Sequence, residues 1–367
     1  MAKPYLITFT PISRFFFGSS YSLGEGFYAE SMKLPQQTTI LGCIRTIILL
    51  QKGLVDPKNK NFPNINSEEA KKLTGTSKIR SFDDPDDNFG IIEKISPVFI
   101  VKRRSEEIED FLFQIPKNVV LEDGNLKQFG YIKHQGLSYY SKRKFEHIIL
   151  SERKPKTGVP DYFGGREFWF SYINNKIVPY KREFESDSIF ISRMNIGIKK
   201  MTEGAFYTKI DYTLKRNFSF GVIVWFSEPD IENDIVVLGG ERSTFKMEIF
   251  KIEDSFKSHP VVREIVEGEC DFTKILSTIS SPSKLIALSP IILDEESFDE
   301  FEGMVGHMIV NGIHSTRIMD RIKGVKSQAI RMIPAGAVFY VERTIRLKNE
   351  WTIPYKIGYN YVIKINL

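Results

Sequence analysis

Cysteine is nearly absent. The 367 residues hold only Cys43, inside the apolar run ILGCIRTIILL, and Cys270, in EGECDFTK. Two thiols so far apart encode neither a disulfide framework nor a zinc knuckle, and they point to a reducing, cytoplasmic setting. Histidine is also sparse. His134, His147, His259, His307 and His314 include no pair three or four residues apart, so no HExxH or His-plus-Cys metal site is written here. The GxxxxGK[ST], GxGxxG and GxSxG patterns are missing, which removes the usual sequence warrants for nucleotide hydrolysis, dinucleotide binding and serine hydrolysis. Long apolar runs are lacking too. The longest, Thr39 to Leu50, is broken by Arg45 and falls short of the roughly 18 residues a membrane span needs. The opening MAKPYLITFTPISRFFFG has no extended apolar core or small-residue cleavage site and reads as mature protein. Asp83, Asp84, Asp86 and Asp87 surround Pro85 without EF-hand spacing and read as a solvated turn. No catalytic residue, metal or cofactor is assigned.

What the chain has in quantity is aromatic and alternating sequence. It carries 29 Phe and 15 Tyr, mostly in short period-two runs of the kind half-buried strands show. Tyr5 to Phe9 reads as a first strand. Thr38 with Thr39 is expected to cap a helix to about Gln51, stopped by Gly53. SRMNIGIKK and EGAFYTKIDYTL read as a hairpin turning near Thr202 to Gly204, and FSFGVIVWF continues the sheet. Between about 56 and 182 the chain is turn-rich, with PVFIVKR and DFLFQIP as isolated strand-like runs, and reads as a long, partly folded insertion. A polar boundary near Glu253 divides a first domain, 1–252, from a second, 253–367, and the mixture of strands with few helices is α+β.

The charge is weakly basic overall, 51 Lys and Arg against 46 acids, but unevenly spread. Residues 141–182 carry ten basic groups against four acids, a surplus of six, and 314–346 carry seven against two, a surplus of five. Separated basic stretches with nearby Tyr and Phe suit a single-stranded polynucleotide, with cations on phosphates and rings on splayed bases. The candidate contacts lie in loops. Arg14 sits beside Phe16 in SRFFFGSSYSLG. Lys33 and Arg45 bracket LPQQTTILGC, where a helix start would aim N–H groups at an anion and Gly42 would allow close approach. Arg193 precedes the strand MNIGIK. Gly239 and Gly240, followed by Glu241, Arg242 and Ser243, would let backbone N–H groups reach a phosphate while Arg242 adds a two-pronged donor.

Taken in order, PxxRFFFG, LPQQTTILGCIRTIIL, SRMNIGIKK with TEGAFYTKI, LGGERSTFKMEI and AIRMIPAGAVFYVE resemble the signatures of the Cmr subunit three family, RAMP-superfamily proteins of type III-B CRISPR–Cas effector complexes. The resemblance spans Tyr5 to about Glu342. It implies two ferredoxin-like, RNA-recognition-like domains with a long insertion in the first. It also implies a non-catalytic antiviral role in which the chain holds the repeat-derived 5′ tag of CRISPR RNA and meets the large polymerase-like subunit (Cmr subunit two) and the adjacent backbone RAMP subunit. By position it places the segment entering the first helix on Leu34 to Arg45, with Gln36, Thr38, Thr39 and Gly42 as further RNA contacts, the glycine-rich turn on Gly239 to Ser243, and the Pro-Ala-Gly strand on Pro334 to Tyr340. The family's glycine- and tryptophan-bearing stretch before that strand is replaced by NGIHSTRIMDRIKG. The alternatives are a metal-independent repeat-RNA endonuclease using His307 or His314, and a structural scaffold that touches no RNA.

Overall fold

The opening strand, Lys3–Pro11, runs antiparallel between two others, so that Ile7 lies between Val222 of Phe218–Phe226 and Ile249 of Ser243–Lys251. The computed structural model describes residues 2–18, 28–55, 67–77, 79, 82–133, 147–150, 161–198, 206–228, 231–239, 242–316, 319–320, 325–326, 330–347 and 352–367. The main sheet has eight strands in the order Phe163–Gly164, Glu107–Gln114, Phe99–Arg104, Phe218–Phe226, Lys3–Pro11, Ser243–Lys251 and Asp234–Leu238, with Ile92–Ile95 also paired to Phe218–Phe226. Every residue of that central strand is buried. Its run FSFGVIVWF has no polar alternation because both faces are covered.

Period two sends Ile7 and Phe9 to one face of the sheet and Leu6 and Thr8 to the other. The first helix, Gln37–Gln51, covers the former face with Ile40, Ile44, Ile47 and Ile48, all buried, each worth about 1.5–3 kcal/mol of removed apolar surface. The helix starts at Gln37, before Thr39, and its N-cap Gln36 makes no side-chain cap. Thr38 and Thr39 fall inside the first turn and so cannot cap it; the Thr38 hydroxyl is hydrogen-bonded with Tyr359, in the C-terminal segment. At the other end Gly53, at φ +68°, donates its N–H to Leu50 O at 3.0 Å and turns the chain out of the helix.

The stretch 56–182, expected as one partly folded insertion, contributes to several units, among them the helix Glu68–Thr74 and a two-stranded sheet of Gly130–Lys133 and His147–Leu150. Ile92–Ile95, Phe99–Arg104, Glu107–Gln114 and Phe163–Gly164 belong to the main sheet itself. Val119–Glu122, Asn125–Gln128 and Val178–Pro179 form a separate three-stranded sheet beside the helix Arg166–Ile173. The latter part bridges the halves of the chain: Tyr172 donates its hydroxyl to Asn118 Oδ1 at 2.8 Å, and Asn118 Nδ2 donates to Tyr340 at 3.2 Å.

Beyond Glu253, Ser283–Ala287 pairs with Val338–Val341 and Val362–Asn366 in a four-stranded sheet completed by His307–Ile309. Phe272, Phe301 and Phe339 form its aromatic core. The helix Phe272–Thr278 is capped by the Asp271 carboxylate, which accepts from the N–H of Thr273 and Lys274. The polar run at the expected boundary is not a break in packing. One buried cluster joins Leu6, Ile223 and Trp225 to Val261, Val262, Val338 and Tyr361. The fold is mixed α/β with several antiparallel sheets. Among the described residues no helix is long and apolar enough to cross a membrane.

Candidate nucleic-acid interface

Phe190–Ile198 and Phe206–Leu214 form the expected hairpin strands, with Arg193 opposite Asp211 and Asn195 opposite Lys209. Their turn near Thr202 to Gly204 lies outside the described residues. The second strand is flanked by Tyr28–Glu30 in parallel. Alternation gives this ribbon two faces of opposite character. Arg193, Asn195, Lys209 and Asp211 share one. Met194, Ile196, Ile210 and Tyr212 share the other, where Met194 is 63% and Ile196 73% exposed.

The loop after the opening strand is stitched to the edge of the second ribbon strand by a backbone bridge. Phe15 and Tyr212 exchange N–H···O bonds of 2.8 and 3.1 Å. Phe15 and Phe17 stack at 4.6 Å and pack into the core, so the intervening alternation turns Arg14 and Phe16 outward. Arg14 Nη1 donates to Asn195 Oδ1 at 3.3 Å, Asn195 Nδ2 donates to Asp211 Oδ2 at 2.7 Å, and Lys209 pairs with Asp211 at 3.2 Å. The Lys209 ammonium also stands 4.5 Å over the Phe16 ring.

The glycine turn abuts the same loop. A Cβ on Gly239, at φ +79°, would lie 3.1 Å from Phe16 O and 3.4 Å from the Phe17 ring, so this approach requires glycine. Arg242 N–H donates to Gly239 O at 3.2 Å and holds φ +58°. Its side chain is exposed and has no partner among the described residues. Ser243 is buried as the first residue of the following strand. Gly240 and Glu241 lie outside the described residues.

The other sequence candidates are dispersed. Lys33 stands 6.0 Å over the Tyr212 ring, on the apolar face of the ribbon, and pairs with Asp161 at 2.6 Å. Gln36 and Gly42 are exposed and Thr38 and Thr39 half-buried along the first helix. A Cβ on Gly42 would meet nothing within 4 Å, so packing does not require glycine there. Arg45 departs from the expected anion contact. Its Nε donates to Thr74 O at 2.7 Å, its Nη2 bonds Thr74 O and, at 2.8 Å, Ser77 O, and its guanidinium lies 5.5 Å from the Phe89 ring. Burial pushes its pKa down to about 10. It is spent on carbonyls at the end of the helix Glu68–Thr74.

Of the basic stretches read from the sequence, much lies outside the described residues, and several described members are engaged locally: Lys181 with Glu167, Arg182 with Glu185 at 3.6 Å, Arg331 with Asp299 at 3.2 Å and Glu295 at 3.3 Å. Lys209, Asn195 and Asp211 were missed as site residues. Period two in FISRMNIGI and FYTKIDYTL places them on one face only once the pairing register is known. Asp84 Oδ1 accepts from Asp86 N–H at 3.0 Å, and Asp87 pairs with Lys356 at 2.6 Å, so these carboxylates are tied into a turn. Among the described residues no group of three His, Cys, Asp or Glu is placed to hold a metal ion.

The outward, cation-bearing ribbon sits on a mixed antiparallel scaffold, and that fold has solved counterparts. The chain aligns over 98% of its length with 96% of a chain in the cryo-EM structure of the type III-B Cmr-beta complex bound to cognate target RNA, at 17% identity and a TM-score of 0.51. A second structure of Cmr-beta, with cognate target RNA and AMPPnP, gives 17% identity over the same shares and a TM-score of 0.50. No curated protein sequence matches the chain. The family model described as CRISPR-associated protein (Cas_Cmr3) matches residues 7–352, and the chain belongs to that family.

Proposed function

We propose that the chain is the subunit of a type III-B CRISPR–Cas effector complex that holds the 5′ tag of CRISPR RNA and docks the large polymerase-like subunit and the adjacent backbone RAMP subunit. The observation that carries this reading is the gathering of Arg14, Phe16, Arg193 and Lys209, from three separate segments, on one side of the ribbon, with the Gly239 turn that leads to Arg242 abutting the loop that holds Phe16. Family membership and the likeness to chains of RNA-bound Cmr-beta support it.

In this reading Arg14, Arg193 and Arg242 neutralise phosphates, and Phe16 offers a ring to a splayed base. Gly42, open on the first helix, admits the RNA backbone with Gln36, Thr38, Thr39 and Lys33 around it. Arg45 acts from behind, by fixing the helix against the segment 74–77. The role is non-catalytic and cytoplasmic. The scaffold reads as two ferredoxin-like RAMP units, 1–252 and 253–367.

The test is binding of the purified chain to single-stranded RNA carrying the tag across a salt series. Each phosphate contact on a single strand contributes about 0.7 to the slope of log K against log salt. An Arg14→Ala, Arg193→Ala, Arg242→Ala triple variant is expected to flatten that slope by about 2. An unchanged slope and affinity would remove these contacts. Cleavage of repeat RNA in chelator, lost in a His307→Ala variant, would overturn the non-catalytic role.

A further inference from the structure

The strand Asp234–Leu238 ends the path of the main sheet and, among the described residues, pairs on one side only, with Ser243–Lys251. Ile12 N–H donates to Thr244 O, and Ile249 N–H donates to Asn233 Oδ1. Even-numbered residues of Ser243–Lys251 therefore face the opening strand and odd-numbered ones face the edge. In the antiparallel register Asp234, Val236 and Leu238 answer Met247, Phe245 and Ser243, which turns the peptide groups of Ile235 and Val237 outward. The Ile235 N–H is met by the Asp234 carboxylate at 2.7 Å. The Val237 N–H and the carbonyls of Ile235 and Val237 have no partner among the described residues.

The side chains of this edge alternate sharply. Val236 and Leu238 are buried, while Ile235 is 63% and Val237 48% exposed. Ile235 lies beside Lys246 and Thr10, and Val237 beside Thr244. Ile12, 58% exposed, continues the apolar face past Thr244. An exposed edge with apolar residues on one face invites another strand, and soluble proteins usually blunt such edges with proline, bulges or lysine. Here the edge strand has none of these, and its one charge, Asp234, sits at its start.

We infer that the edge Asp234–Leu238 is a strand-addition site for an extended segment of a neighbouring protein subunit. The inference rests on the proposed place of the chain in an effector complex. Recognition would run through main-chain bonds at Ile235 and Val237, with two apolar side chains, two residues apart, laid beside Ile235, Val237 and Ile12. A basic residue would face exposed Glu232 and Asp234. RNA is disfavoured as occupant because it lacks an alternating N–H and C=O ladder and meets two carboxylates at this end. A second copy is disfavoured by size. Five residues span about 17 Å, and an edge that short buries far less than the roughly 1,200 Å² of a stable specific interface. A segment tethered within an assembly does not need that area.

The experiment compares the full chain with Val237→Pro, which deletes an outward N–H and leaves the ladder to Ser243–Lys251 intact, and with Ile235→Lys, Val237→Lys. Each is mixed with the purified large polymerase-like and backbone RAMP subunits and CRISPR RNA, and assembly is titrated. The expected result is at least a tenfold weaker assembly for both variants, with tag-RNA binding by the isolated chain unchanged. Hydrogen exchange of wild-type 234–238 should slow on assembly, a readout that needs no variant to fold. Wild-type assembly by both variants with unaltered exchange would overturn the inference. So would a micromolar dimer of the isolated chain that Val237→Pro abolishes, since the occupant would then be a second copy. If the isolated chain binds no tag RNA while the assembly effect holds, the RNA reading falls and the edge reading stands.

Discussion

Lys284 donates to Gln128 Oε1 at 2.7 Å, joining the second half of the chain to the bridging sheet. Its ammonium lies 4.5 Å from the Tyr172 ring, which stands beside the buried Asn118–Tyr340 pair. No carboxylate completes the site among the described residues, and burial pushes the Lys284 pKa down to about 8.

That depression fixes a sign. Below about pH 8 both folded and unfolded chains hold the Lys284 proton, and the full cost of burying the cation is present. Between about 8 and the usual lysine value near 10.4 the unfolded chain binds more protons, so this residue makes stability rise with pH. Above that range the buried tyrosines oppose it, because burial raises Tyr162 to about 12 and pushes Tyr355 up as well, and only the unfolded chain ionises them early. The buried Cys43 and Cys270, pushed up to about 12 by burial, pull the other way in this window, so the test is a difference: from pH 7.5 to 9.5 the urea midpoint of the wild type should rise relative to that of Lys284→Met. Equal slopes would show that the ammonium is not desolvated.

Arg45 is expected to behave as a structural residue. Arg45→Ala leaves the carbonyls of Thr74 and Ser77 without their donor and should cost about 3 kcal/mol in denaturant titration. RNA affinity per folded molecule should stay within about twofold, a shift of roughly 0.4 kcal/mol. A stable variant with lost RNA binding would return Arg45 to the interface.

The glycines separate by what surrounds them. A Cβ on Gly75, at φ +77°, would lie 2.0 Å from Asn88 O, and one on Gly90, at φ +69°, 2.4 Å from Leu73 backbone. Alanine at either should cost more than about 2 kcal/mol, since the collision is with main chain. Gly42 has open space, so Gly42→Ala should stabilise the helix by about 1 kcal/mol while weakening tag-RNA binding if the RNA backbone approaches there. Unchanged binding in the stabilised variant would take Gly42 out of the site.

Strands were legible because their patterns are local: the alternating ribbon strands, the unbroken apolar run FSFGVIVWF and VFIVKR all form where those patterns place them. Their partners were not. Phe99–Arg104 pairs with Phe218–Phe226 across more than a hundred intervening residues, and turn-rich flanks made it read as part of an insertion. Arg45 looked like an anion ligand because its acceptors, Thr74 and Ser77, lie 29 and 32 residues on. Arg14 and Arg242 were readable as loop cations, but only the Phe15–Tyr212 bridge and the Gly239 approach to Phe16 bring them to one ribbon.

Arg242 allows conformation and charge to be tested apart. At φ +58° it holds the left-handed backbone that costs a non-glycine residue about 1–2 kcal/mol, yet its side chain is exposed with no partner among the described residues. The backbone is held by the turn bond from the Arg242 N–H to Gly239 O, and a glycine would serve that turn with less strain. Arg242→Gly should therefore raise the unfolding midpoint, by up to about 1 kcal/mol of stability, and weaken tag-RNA binding with a shallower salt slope. Arg242→Asn, which tolerates the same backbone, should lose the charge with little change in stability. If Arg242→Gly binds as tightly as the wild type, the guanidinium is not a phosphate contact; if both variants lose affinity while remaining folded, the charge carries the interaction.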